Sequence, residues 1–63
     1  MQWKDTQLIG ETLADLYPDI DPLKLRFTES HAMVVALQDF EDDPNKSTEA
    51  ILEAILQAWL DER

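Results

Sequence analysis

The chain contains no cysteine. That absence excludes disulfides, thiolate metal sites and a thiol nucleophile. There is one glycine, and no phosphate-cradling loop or dinucleotide fingerprint is present. No stretch approaches the roughly 18 apolar residues of a membrane span. Basic residues are also scarce. Five Lys and Arg face fourteen Asp and Glu, for a formal net charge of −9. A field of that sign repels phosphate backbones and anionic membranes, so neither nucleic acid nor membrane is an expected partner. It attracts basic protein surfaces and metal cations, and it strains the compact state through self-repulsion.

What remains is the composition of a small folded protein. The 63 residues are 44% hydrophobic and include two Trp. A chain this short makes one domain, residues 1–63, and buries only ~60% of the surface that its unfolded form exposes. Met1-Gln2-Trp3-Lys4-Asp5 has no apolar run and no cleavage pattern, so a signal peptide is not expected and a cytoplasmic location is the default.

Asp5 reads as an N-cap, followed by Leu8, Ile9, Leu13, Leu16 and Tyr17 at largely helical spacing. That predicts a helix from about Thr6 to Leu16 or Tyr17, stopped by Pro18. Gly10 inside it costs roughly 1 kcal/mol against Ala, which points to close packing of another backbone. Asp21-Pro22 reads as N-cap and first helical residue of one short turn reaching Leu25, with Arg26-Phe27 an extended link. Thr28 is the expected cap of a second long helix, with Met33, Val34, Leu37 and Phe40 facing inward. Glu41 to Lys46 reads as a loop. Ser47 is the expected cap of the last helix, whose buried face is Ile51, Leu52, Ile55, Leu56 and Trp59. Three amphipathic helices and a short turn sharing one core make a compact all-α domain.

Helix one carries Glu11 and Asp15 opposite the Ile9–Leu13–Leu16–Tyr17 stripe; Leu8 projects near Asp15 instead of joining the stripe. Like charges at i and i+4 cost ~0.2–0.5 kcal/mol in a helix, so the pair is not there for helix stability. Asp19 and Asp21 follow just beyond the helix. This face is either a solvated surface, a docking surface for Lys and Arg, or a weak site for a hard cation such as Mg²⁺, Ca²⁺, Mn²⁺ or Fe²⁺. A second cluster, Asp39, Glu41, Asp42 and Asp43, lacks the spacing and glycine of an EF-hand and reads as a polar loop. Asp61 and Glu62 lie at the unfavourable end of the last helix dipole. The lone His31 lies off the apolar stripe, without a second nitrogen or sulfur ligand nearby in sequence. Trp3 and Trp59 are candidate core residues, and Trp3 can pin the N-terminus.

In order along the chain stand Trp3, Asp5, Ile9-Gly10-Glu11, Tyr17-Pro18-Asp19, Asp21-Pro22 and Arg26-Phe27-Thr28. Leu37, Asp39-Phe40, Asp42-Asp43-Pro44, Leu52-Glu53-Ala54-Ile55 and Trp59-Leu60-Asp61-Glu62 follow. Together, without gaps, these resemble the IscX-type proteins of bacterial iron–sulfur cluster assembly. Departures are Glu29, where that family usually has Asp, Met33, where it often has Trp, and Thr48, where Asn commonly follows the Ser.

The resemblance implies a compact all-α fold likened to a modified winged helix, in a monomer. It implies docking onto the cysteine desulfurase, at a surface also used by frataxin, with the cluster scaffold as a further partner. It implies weak Fe²⁺ binding by exposed carboxylates, with nothing held tightly, and iron-dependent tuning of the desulfurase. By the same resemblance the partner face is Asp5, Glu11, Asp15, Asp19 and Asp21, and the weak metal ligands are Glu11, Asp15, Asp19 and Asp21. The alternative is a generic acidic interaction module or divalent-cation binder unconnected with cluster assembly. A nucleic-acid module is disfavoured by the charge, and an enzyme by the lack of any nucleophile motif.

Overall fold

The expected helical runs become α1 (Thr6–Leu16), α2 (Phe27–Val35) and α3 (Glu49–Glu62) in a computed structural model that describes residues 1–63. Single 3₁₀ turns lie at Pro22–Lys24 and Pro44–Lys46, and there is no strand. The all-α expectation holds; with no strand to make a wing, the structure adds nothing to the winged-helix likeness. No helix is long and apolar enough to cross a membrane.

The elements pack around α3, which touches α1, α2 and the first 3₁₀ turn. The core is Trp3, Ile9, Leu13, Val34, Leu37, Leu52, Ile55 and Trp59. Helix α1 is the main neighbour of α3. Gly10 lies against Ala58 and the Trp59 amide, and Gln7 reaches Glu62, so α1 and α3 run antiparallel. A Cβ built on Gly10 would stand 2.5 Å from Ala58 Cβ and 2.8 Å from Trp59 N. The glycine is thus the point where two helix backbones meet, as its cost to helix α1 implied. Trp59 is buried, and its Nε1 has no hydrogen-bond partner.

The helix ends differ in detail from the expectation. Asp5 precedes α1, but its side chain makes no cap bond; its Oδ2 accepts from Gln2 N at 2.9 Å and closes a turn behind the helix. Asp21 caps the first 3₁₀ turn as expected, accepting from Leu23 N at 3.1 Å. Helix α2 begins at Phe27, not after Thr28. Glu29, at the third helical position, reaches back to Arg26 N at 3.3 Å, so the carboxylate makes Arg26 the first boundary residue. The helix also stops at Val35. Leu37 and Phe40 still turn inward, held by successive turns in which Leu37 N donates to Val34 O and Phe40 N to Leu37 O. The cap of α3 is Thr48, whose Oγ1 accepts from Ile51 N at 3.2 Å, and not Ser47. On α3 the buried residues are Leu52, Ile55, Ala58 and Trp59; Ile51 and Leu56 are half-buried. Leu16, expected inside, is 58% exposed. It sits at the edge of the α1 stripe, in the last turn before the chain leaves the helix.

Candidate functional site

Eleven of the fourteen acidic residues fall into three groups, set apart by their surroundings, and Glu29, Glu49 and Glu53 stand outside them.

The first group belongs to an N-terminal clamp. The chain start lies along residues 39–43: the Met1 ammonium donates to Asp39 O, and Glu41 N donates to Met1 O at 2.9 Å. Trp3 N donates to Asp42 Oδ2 at 3.1 Å, and Trp3 Nε1 to Asp43 O at 2.7 Å. The Trp3 ring is stacked on His31, centroids 5.3 Å apart, and meets Phe40 edge-on at 4.8 Å. His31 Nε2 bonds Pro44 O. A carbonyl only accepts, so the histidine donates there. The cluster read as a polar loop therefore fastens the N-terminus, and the one histidine stacks inside that fastening. The Trp3 N–H, and after it the Asp43 N–H, hold the Asp42 carboxyl below its ordinary value. Partial desolvation works the other way, and Lys46 and Lys4 add attraction. Asp5 sits at the edge of this region, half-buried and bonded to Gln2 N.

The second group surrounds the C-terminal end of α3. Gln7 Nε2 lies 3.4 Å from both Glu11 Oε1 and Glu62 Oε1, so one amide bridges two carboxylates on neighbouring helices. Arg63 pairs with Asp21 at 3.3 Å, the one ion pair of the chain. Asp21 is thus shared between Arg63 and the cap of its own turn. Gln57 bonds Asp61 one turn away at 3.1 Å.

The third group is open. Asp15 and Asp19 are exposed, and no basic residue of the chain pairs with either. Asp15 lies one helical turn from Glu11 on α1, so these two form a ridge along the helix. The structure therefore brings Glu11 beside Glu62, attaches Asp21 to Arg63, and leaves Asp15 and Asp19 to solvent. No group of three or more His, Cys, Asp or Glu side chains is placed to hold a metal ion.

A sequence comparison decides the family. The sequence model described as iron-sulphur cluster assembly matches residues 1–63, the whole chain. The chain belongs to that family. An uncharacterized protein of Pseudomonas aeruginosa is 40% identical over 63 residues, covering 100% of this chain and 96% of the relative. Within the family frame, two departures acquire a place. Thr48 is the α3 cap, a task that Asn also performs. Met33 is half-buried against the core.

What the sequence did not disclose is the pairing of residues 1–3 with 39–43. Its signal was present only as Trp3 and the aspartates, two features with no spacing rule between them.

Proposed function

We propose that the protein is a non-catalytic accessory of iron–sulfur cluster assembly that docks through its acidic surface onto a basic region of the cysteine desulfurase. The observation that carries this is the exposed pair Asp15 and Asp19, with the half-buried Glu11 one turn before Asp15, none of them neutralised by a basic residue of the chain. Carboxylates left unpaired on a rigid helix steer a cationic partner and raise the association rate, which falls as salt rises. Asp5 and Asp21 border the surface with their carboxylates partly engaged. The cluster scaffold is a second partner of the same reading.

Fe²⁺ enters only as a loosely associated cation. Glu11, Asp15, Asp19 and Asp21 supply oxygen donors of the right hardness. They do not converge on one point, so they do not fit a resident metal. Iron collected on this surface would lower its negative charge and weaken docking.

Calorimetric titration of the purified desulfurase tests the proposal. Glu11→Lys with Asp15→Lys weakens binding, and raising salt weakens the unmodified protein in the same direction. Unchanged affinity in both cases removes the electrostatic reading. Added divalent cation raises the melting temperature if the carboxylates hold it in the folded state; an indifferent melting curve removes the iron part alone.

A further inference from the structure

The outward face of α1 is not only acidic. Leu8 is 49% and Leu16 58% exposed, large apolar side chains without cover on a helix whose only charged residues are Glu11 and Asp15. At about 100° per residue, Leu8, Thr12 and Leu16 follow one another at i, i+4 and i+8 as a single ridge. Glu11 and Asp15 form the neighbouring row, closest to it at Leu8 and diverging from it toward Leu16. Thr12 Oγ1 donates to Leu8 O at 2.8 Å, so its hydroxyl is already satisfied and covering it strands no donor. The surface therefore presents two exposed leucines along one row, with the carboxylate row next to it.

We infer that this two-ridge face of α1 takes a basic amphipathic helix of the partner, whose aliphatic side chains cover Leu8 and Leu16 and whose Lys or Arg side chains meet Glu11 and Asp15. Charge complementarity selects this occupant. A second copy of the chain would bring −9 against −9. An uncharged apolar segment would leave the Glu11–Asp15 ridge covered and unpaired, which costs more than the leucines return. A basic partner without apolar side chains would leave the leucines wet. The inference deepens the preceding reading, and rests on it for the partner's identity. It divides the labour at the interface: carboxylates set the association rate, and leucines set how long the complex lasts.

Two synthetic helical peptides of equal length and equal positive charge test it. One carries Leu at i, i+4 spacing, and the other carries Ser at those positions. The unmodified protein binds the Leu peptide about tenfold more tightly, the scale set by burying two half-exposed leucines. Leu8→Gln with Leu16→Gln abolishes that preference while leaving the Ser peptide's affinity unchanged. Both side chains are exposed, so the double variant keeps its fold, which circular dichroism checks. Glu11→Gln with Asp15→Asn weakens both peptides alike. Equal affinity for the two peptides, no binding of either, or a preference that survives the leucine variant overturns the inference. So does a dimer in sedimentation that the leucine variant dissolves. With the desulfurase itself, the leucine variant speeds dissociation about tenfold. Desulfurase that releases the unmodified protein and the leucine variant at the same rate defeats the inference alone. Desulfurase that binds neither, with the peptide preference intact, defeats the choice of partner alone.

Discussion

Gly10→Ala is the substitution whose two physical effects oppose each other most clearly. In an isolated helix it is favourable by roughly 1 kcal/mol, because alanine is the better helix former. In this protein the new Cβ meets Ala58 Cβ at 2.5 Å, Trp59 N at 2.8 Å and Ala58 C at 2.9 Å. Comfortable carbon–carbon contact is about 3.5–4.0 Å, so α1 and α3 must part by about 1 Å where they touch. Two of the three neighbours are backbone atoms, and no rotamer change relieves them. Parting the helices also loosens Ile9, Leu13, Ile55 and Trp59, which fill the space between them. Overpacking of this kind costs about 1–3 kcal/mol, and contact with backbone puts it at the upper end. The net loss is about 2 kcal/mol after the helix gain. A domain of this size holds roughly 3–9 kcal/mol in all. At about 4–8 °C per kcal/mol, thermal unfolding followed by circular dichroism should show the midpoint falling by about 8–16 °C. Adding Ala58→Gly removes one clash and leaves the Trp59 N contact, so recovery should be partial. A Gly10→Ala midpoint equal to or above the unmodified protein's would refute the close-approach argument.

Three other perturbations read other parts of the structure. Thr48→Ala should cost about 1 kcal/mol by removing the α3 cap, while Ser47→Ala should cost little, and urea unfolding of both variants separates them. Trp3→Ala removes a buried indole with its bond to Asp43 O and its stacking on His31, a loss of about 3–5 kcal/mol that leaves little folded protein; Trp3→Phe keeps the ring and should be much milder by the same melt. Asp42→Asn should lower stability at neutral pH, and the sign of its pH dependence is fixed. The folded carboxyl titrates below the unfolded value of about 3.9, so its contribution is complete above that value and fades as pH falls through the lowered one. Melts of the two proteins should therefore differ by a constant amount near neutrality and converge below about pH 4; a gap that persists in acid removes the Trp3–Asp42 bond as its source.

Local signals in the sequence were reliable where the cause of the structure was local. Pro18 ended α1, Asp21-Pro22 opened a 3₁₀ turn, and the lone glycine marked a close approach. Neighbouring candidates for one task were harder. Ser47 and Thr48 can both cap a helix, and Thr28 was displaced because the Glu29 carboxylate reaches past it to Arg26 N. Leu37 and Phe40 were correctly expected inside but on the wrong element, since consecutive turns can imitate the inward spacing of a helix. Trp3 was rightly read as a pin for the N-terminus, but what it pins to was not legible, because backbone bonds between residues 1–3 and 39–43 impose no periodicity on either segment. The acidic residues were placed correctly on the surface, but charge alone does not show which carboxylates are already engaged. Only atomic partners separate Asp42 and Asp21 from Asp15 and Asp19.

The antiparallel contact of α1 with α3 has a consequence for how the chain reaches its fold. The two helices that share the most core lie at opposite ends of the sequence, separated by residues 17–48. Their contacts form only after that whole segment has been drawn into a loop, whose entropy must be lost before the reward arrives. A chain emerging from the ribosome carries α1 without the α3 side of the core over Ile9 and Leu13 until α3 has been made. Residues 1–47 alone lack the Ala58–Trp59 backbone that Gly10 meets and the Leu52, Ile55 and Trp59 share of the core, so the core closes only when the last helix joins it.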